Sequence, residues 1–196
     1  MSSILRVYPI MRNTILGRIM LATLFACLTA IGAQIQIPIG PVPVTLQVFF
    51  VLLSGLVLGS KWGAASQLEY LVMGFSGLPV FAQGKSGLTA LLGPTGGYLI
   101  GFVAGALLAG LIAEAVAKPG RVRLFLAGMA GTAGIYFFGG LWLACWFSIQ
   151  QGMSWSGALE KAWLAGVAPF LLLDMAKALL AGGVTLSGRT LAEIFK

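Results

Sequence analysis

Long apolar runs, joined by short connections and nearly free of charge, dictate what this chain can fold into. The last of them, AWLAGVAPFLLLDMAKALLAGGVTL at residues 162–186, carries two charged side chains, Asp174 and Lys177, and no others. Only 9% of the 196 residues are charged and 59% are hydrophobic, whereas a soluble domain carries about 25% charge. The chain therefore reads as an integral membrane protein. A spanning helix needs about 20 residues, so five to seven spans fill the length available. One membrane domain over 1–196 is expected, with no separate soluble domain.

Hydropathy divides the sequence into about six spans, near 16–35, 44–60, 62–76, 96–117, 122–149 and 162–187. The expected fold class is an all-α integral membrane protein of six transmembrane helices. Between the third and fourth spans lies GLPVFAQGKSGLTALLGPTGGYL, too interrupted by Gly and Pro for a plain helix. Backbone of this kind is tolerated near a membrane only where it is buried in protein or lines a cavity. It is therefore placed as a Gly/Pro-rich extracytoplasmic cap or re-entrant loop. In the first connection Pro38, Pro41 and Pro43 remove backbone donors and force an extended path.

Basic residues set the orientation. With a cytoplasmic N-terminus, Arg6, Arg12, Arg18, Lys61, Lys118, Arg121, Arg123, Arg189 and Lys196 gather inside, nine in all, against Lys85 and Lys161 outside. That bias follows the enrichment of cytoplasmic loops in Lys and Arg. It places both termini in the cytoplasm and both Gly/Pro-rich connections outside the cell (inner) membrane. The first run, preceded by basic residues and ending in Ala30, Gly32 and Ala33, has the form of a secretory leader. Its loss would discard a helix that the even count needs, so it is expected to be retained.

The same inventory limits chemistry. Histidine is absent, and the acids are five: Glu69, Glu114, Glu160, Asp174 and Glu193. Few groups remain for acid–base or metal work, so neither an enzyme, a metal site nor a cofactor is expected. Cys27 and Cys145 fall in apolar runs and read as small hydrophobes. The formal charge of +7 is explained by topology and not by nucleic acid, because the bases lie at the edges of apolar segments. Gln83, Gly84, Lys85 and Ser86 look like the tail of a phosphate-binding loop, but the first glycine of that motif would fall on Pro79. Any energy from nucleotide must then come through another protein.

Asp174 and Lys177 are the leading site candidates. Each charge near a helix centre costs roughly 2.5 to 3.5 kcal/mol, so such residues face a bundle interior or a polar cavity. Spaced by three, they share a helix face and offer an acceptor beside a donor. The competing reading is a structural tether to a neighbouring helix. Thr45 and Gln47, just after the Pro-rich connection, would point into the same outer cavity, and a glutamine can both donate and accept. The run Gly93, Pro94, Thr95, Gly96, Gly97, Tyr98 makes a turn into a helix N-terminus suited to a carboxylate. Gln67, Glu69, Tyr70, Trp142 and Trp146 are further candidates, against a packing role. Ala22, Ala26 and Ala30 form a smooth strip that allows close helix approach. It serves either packing within the chain or docking of a partner, and partner docking is the expectation.

Taken together, PIGPVPVTLQVFFVLLSGLVLG, GLPVFA, LLGPTGGYLIGF and FLLLDMAKALLAG resemble the biotin-specific S components of energy-coupling factor transporters, the BioY family. The likeness runs from about Leu24 to Ala181. It implies a six-helix membrane subunit that captures biotin from outside and works with a transmembrane coupling protein and two ATPase subunits. In that family the Asp and Lys of the last helix go with the ligand head group, here Asp174 and Lys177. The sequence QGKSG at 83–87 departs from the nearly all-glycine run of the family, and Lys85 adds a cation near the expected place of the biotin carboxylate. Substrate binding is thus expected of Asp174, Lys177, Gln47, Thr45, Tyr98 and Lys85. An S component for another small vitamin, a ligand-free assembly subunit and an intramembrane enzyme are the alternatives, and the sequence leaves room for a homo-oligomer.

Overall fold

Thr14 begins the first helix: its hydroxyl accepts the Gly17 N–H at 3.1 Å, filling one of the unpaired donors of a helix start. The structure is a computed structural model that describes residues 14–194, without the side chains of Arg189 and residues 191–194. Arg6, Arg12, Lys196 and the Arg189 and Glu193 side chains, which entered the charge reading, lie outside the described residues. The elements run α1 (Ile15–Gln34), β1 (Gln36–Ile37), β2 (Val44–Thr45), α2 (Gln47–Leu58), α3 (Ser60–Phe75), α4 (Gly87–Leu92), α5 (Gly96–Glu114), α6 (Arg121–Gln151), α7 (Trp155–Gly166) and α8 (Leu171–Ile194). Two 3-10 turns, Ala82–Gly84 and Ala168–Phe170, interrupt the longer connections. The two short strands pair antiparallel, Gln36 with Thr45 and Ile37 with Val44, on either side of the Pro-rich link.

Among the described residues, four stretches are long and apolar enough to cross a membrane: Ile15–Gln34, Gly96–Glu114, Arg121–Gln151 and Trp155–Gly188. Helix α2 is apolar but only 12 residues long, about 18 Å at 1.5 Å per residue. It falls short of the expected 44–60 because Thr45 belongs to the strand pair that the prolines impose. Its far end is fixed by Gly59, whose φ of 86° turns the chain directly into α3. A Cβ there would lie 1.9 Å from Glu114 Oε1. The Glu114 carboxylate accepts the Ser60 N–H at 3.1 Å and the Ser60 hydroxyl at 2.7 Å, capping the start of α3 with negative charge. The last expected span, 162–187, is two helices and not one. Pro169 lacks an N–H and its ring clashes with the preceding turn, so the chain passes through the 3-10 turn between α7 and α8.

Helix α2 sits at the centre, packed against α1, α3, α5, α6 and α8. Helices α5 and α6 make the most extensive pairing. They approach closely because Gly101 and Gly105 lie against the Ile135 and Gly131 backbone, the small-residue packing that membranes favour. Ala22 and Ala26 are 0% exposed and Ala30 is half-buried, with α1 packed on α2 and α3. This corrects the expectation of a partner-docking strip: its small side chains are consumed by packing inside the chain, and only the other faces of α1 remain open.

Candidate functional site

One cavity gathers the end of the molecule that holds the Pro-rich link and residues 81–85. Its walls come from Pro41–Pro43 and the start of α2, the start of α5, the middle of α6 and the first turns of α8. Asp174, Lys177, Gln47, Thr45, Tyr98 and Lys85, the six residues of which substrate binding is expected, all line it.

Asp174 is 2% exposed and Lys177 12%. The Lys177 ammonium donates to Asp174 Oδ1 at 2.6 Å, and the Tyr136 hydroxyl of α6 donates to Oδ2 at 2.6 Å. Each carboxylate oxygen thus has a donor, as a buried charge requires. The ammonium keeps two further hydrogens and the carboxylate further lone pairs, so the pair can meet a ligand with an acceptor and a donor together. The ion pair lies within α8; the link to a neighbouring helix runs through Tyr136.

Across the cavity, Gln47 is buried in a chain of polar contacts. The Thr45 hydroxyl donates to Gln47 Oε1 at 3.0 Å, Gln47 Nε2 donates to the Tyr70 hydroxyl at 2.7 Å, and Tyr70 donates to the Val80 carbonyl at 3.2 Å. One amide hydrogen of Gln47 stays uncommitted. The same chain anchors the connection at Val80, and Phe81 beside it is buried edge-on against Tyr70 and Phe75 at 5.4 and 5.8 Å. Gln34 Nε2 donates to the Phe81 carbonyl at 3.3 Å, and the Phe81 N–H donates to Lys85 O at 3.1 Å. Lys85 therefore stands at the cavity rim on a tight turn, exposed and without an ion pair among the described residues. Tyr98 donates to the Gly166 carbonyl at 2.7 Å, and Trp142 Nε1 donates to the Gly93 carbonyl at 2.9 Å, fixing the turn before α5 to α6. Phe102, Ile135, Leu99 and Phe170 supply an apolar sleeve between the polar ends.

Tyr136 was not singled out in the sequence. Its signal, a hydroxyl inside the apolar run GIYFFGG, is the same one that marked Asp174, but a tyrosine among aromatics is equally consistent with packing. Gln67 and Glu69 lie away from the cavity. Gln67 donates to Ser66, Ser54 and Thr29 hydroxyls at 3.0, 3.3 and 3.4 Å in a buried polar cluster. Trp146 packs edge-on against Phe147. Among the described residues no group of three or more His, Cys, Asp or Glu could hold a metal ion.

Comparison with known proteins adds an independent line. The family model described as the BioY family matches residues 7–193. The probable biotin transporter BioY of Pyrococcus horikoshii is 45% identical over 158 residues, 81% of this chain and 87% of that one. The biotin transporter BioY of Thermotoga maritima is 43% identical over 166 residues, 84% and 91% of the two chains. Among solved structures, the S-component for biotin from an ECF-type ABC transporter superposes with a TM-score of 0.74 at 26% identity, covering 88% of this chain and 90% of that one.

Proposed function

The chain belongs to the BioY family, and from that premise we propose that it is the biotin-binding S component of an energy-coupling factor transporter. It is a membrane transport subunit and not an enzyme. The observation that carries this reading is the convergence of Asp174, Lys177, Gln47, Thr45, Tyr98 and Lys85 on one cavity with an apolar middle. Biotin has a ureido ring with two N–H donors and a carbonyl acceptor, an apolar thiophane and alkyl chain, and a carboxylate. A site for it needs an acceptor beside a donor, an apolar sleeve and a positive end. Asp174 and Lys177 present the first pair, Phe102 and Phe170 line the second, and Lys85 at the rim meets the carboxylate. Thr45 and Tyr98 complete the wall, Thr45 by holding the Gln47 amide in place.

In this account six helices span the membrane, with α2 and α3 as short spans and α7 with α8 as a broken one. Both termini face the cytoplasm, and the Gly/Pro-rich segment at 77–95 covers the outer mouth. Biotin enters from outside and is released inward when a transmembrane coupling protein and two ATPases supply the work. Uptake of labelled biotin by cells lacking their own transporter tests the reading. The chain with its coupling module should restore uptake that unlabelled biotin competes away. Uptake that ignores competing biotin, or that another vitamin competes away instead, would overturn it.

A further inference from the structure

Glu69 of α3 lies outside the cavity, partly exposed on the lateral surface of the bundle. Its Oε2 is 2.9 Å from the Thr23 hydroxyl, and Thr23 sits near the middle of α1, a helix long and apolar enough to cross the membrane. With α1 spanning the membrane, as proposed above, Glu69 is level with the hydrocarbon interior. Thr23 is a poor partner for it, because its single hydrogen is also within reach of the Ile19 carbonyl at 3.1 Å. No other hydrogen bond or ion pair to Glu69 occurs among the described residues. The side chains Ile19, Met20, Leu68 and Val72 of the same two helices are exposed and apolar, so nothing else among the described residues compensates the acid. An ionisable group within a membrane span is costly unless it finds a partner, and lipid headgroups lie too far toward the membrane faces to provide one.

We propose that the lateral face of α1 and α3 around Glu69 docks a transmembrane helix of a partner protein, which sets an Arg or Lys side chain against the Glu69 carboxylate. This rests on the reading of the chain as a subunit that works with a membrane coupling protein, and it names the chemistry by which that protein is recognised. The charge is complementary by necessity: a desolvated carboxylate with one shared donor selects a cation, and the apolar side chains around it exclude water from the pair. Ala22 and Ala26 of α1 do not compete for this role, because their side chains are buried against the rest of the chain.

The test is to produce the tagged chain together with a transmembrane coupling protein and its two ATPases, and to measure the coupling protein recovered per chain alongside biotin binding. Glu69→Gln and Glu69→Leu should each lower recovery by at least about tenfold, the scale of removing one member of a desolvated charge pair, with biotin affinity unchanged. Equal recovery from both variants, with the unaltered chain assembling normally, would overturn the docking proposal alone. No recovery with the unaltered chain would overturn the coupling reading as well. A change confined to self-association of the chain would also overturn the proposal, by assigning the face to a second copy.

Discussion

Asp174 is the side chain on which the account turns, because a buried carboxylate persists only where its donors are fixed. Lys177 and Tyr136 supply them at 2.6 Å each. Removing one partner of a buried pair leaves the other unsatisfied, at about 1 to 3 kcal/mol. Asp174→Asn and Lys177→Met should therefore each weaken biotin binding by roughly 5- to 150-fold in equilibrium titration. Tyr136→Phe removes one neutral donor and should cost about 1 kcal/mol, near fivefold. Unchanged affinity in all three folded variants would place the head group elsewhere. The ion pair was legible in the sequence because charge inside an apolar run has few innocent explanations. Tyr136 was not, since only its 2.6 Å contact distinguishes it from the packing aromatics beside it. Glu69 was visible as an odd residue, yet its position on the outer face needed the structure.

At the scale of elements, the apolar runs marked the helices well and the local breakers less well. The expected 122–149 is Arg121–Gln151, and 16–35 is Ile15–Gln34. Pro169 splits the last run because its missing donor falls in mid-helix, an effect that hydropathy averaging smooths away. The segment at 77–95 read as a folded loop, and it contains the turn at Ala82–Gly84 and the short helix α4. If it closes over the ligand, hydrogen exchange there should slow when biotin is added, and equal exchange at saturation would count against a lid. Its anchor can be tested separately. A Cβ on Gly74 would lie 2.0 Å from the ring of Phe81, a cavity-lining residue. Gly74→Ala should therefore destabilise the protein by about 1 to 3 kcal/mol and weaken biotin binding, read as a lower thermal midpoint and a smaller stabilisation by biotin.

For the whole molecule, the placement of charge argues for one orientation across the membrane. Lys85 stands at the cavity end, whereas Lys118 lies in the connection from α5 to α6 and Arg123 in the first turn of α6. With Cys27 and Cys145 replaced, Lys85→Cys should react with an impermeant maleimide in intact cells and Lys118→Cys only after permeabilisation. The reverse pattern would invert the topology. The convergence of six residues from distant parts of the chain was less accessible to sequence reasoning than the charge pattern. Thr45, Tyr98 and Asp174 come together only because α2, α5, α6 and α8 pack around one cavity. Mass spectrometry of the small molecule released when the purified, biotin-saturated protein is denatured shows whether this cavity holds biotin. Biotin should appear in stoichiometric amount from the unaltered chain and in little from the Asp174→Asn, Lys177→Met double variant. A folded chain that releases no biotin, or a different vitamin in its place, would contradict it.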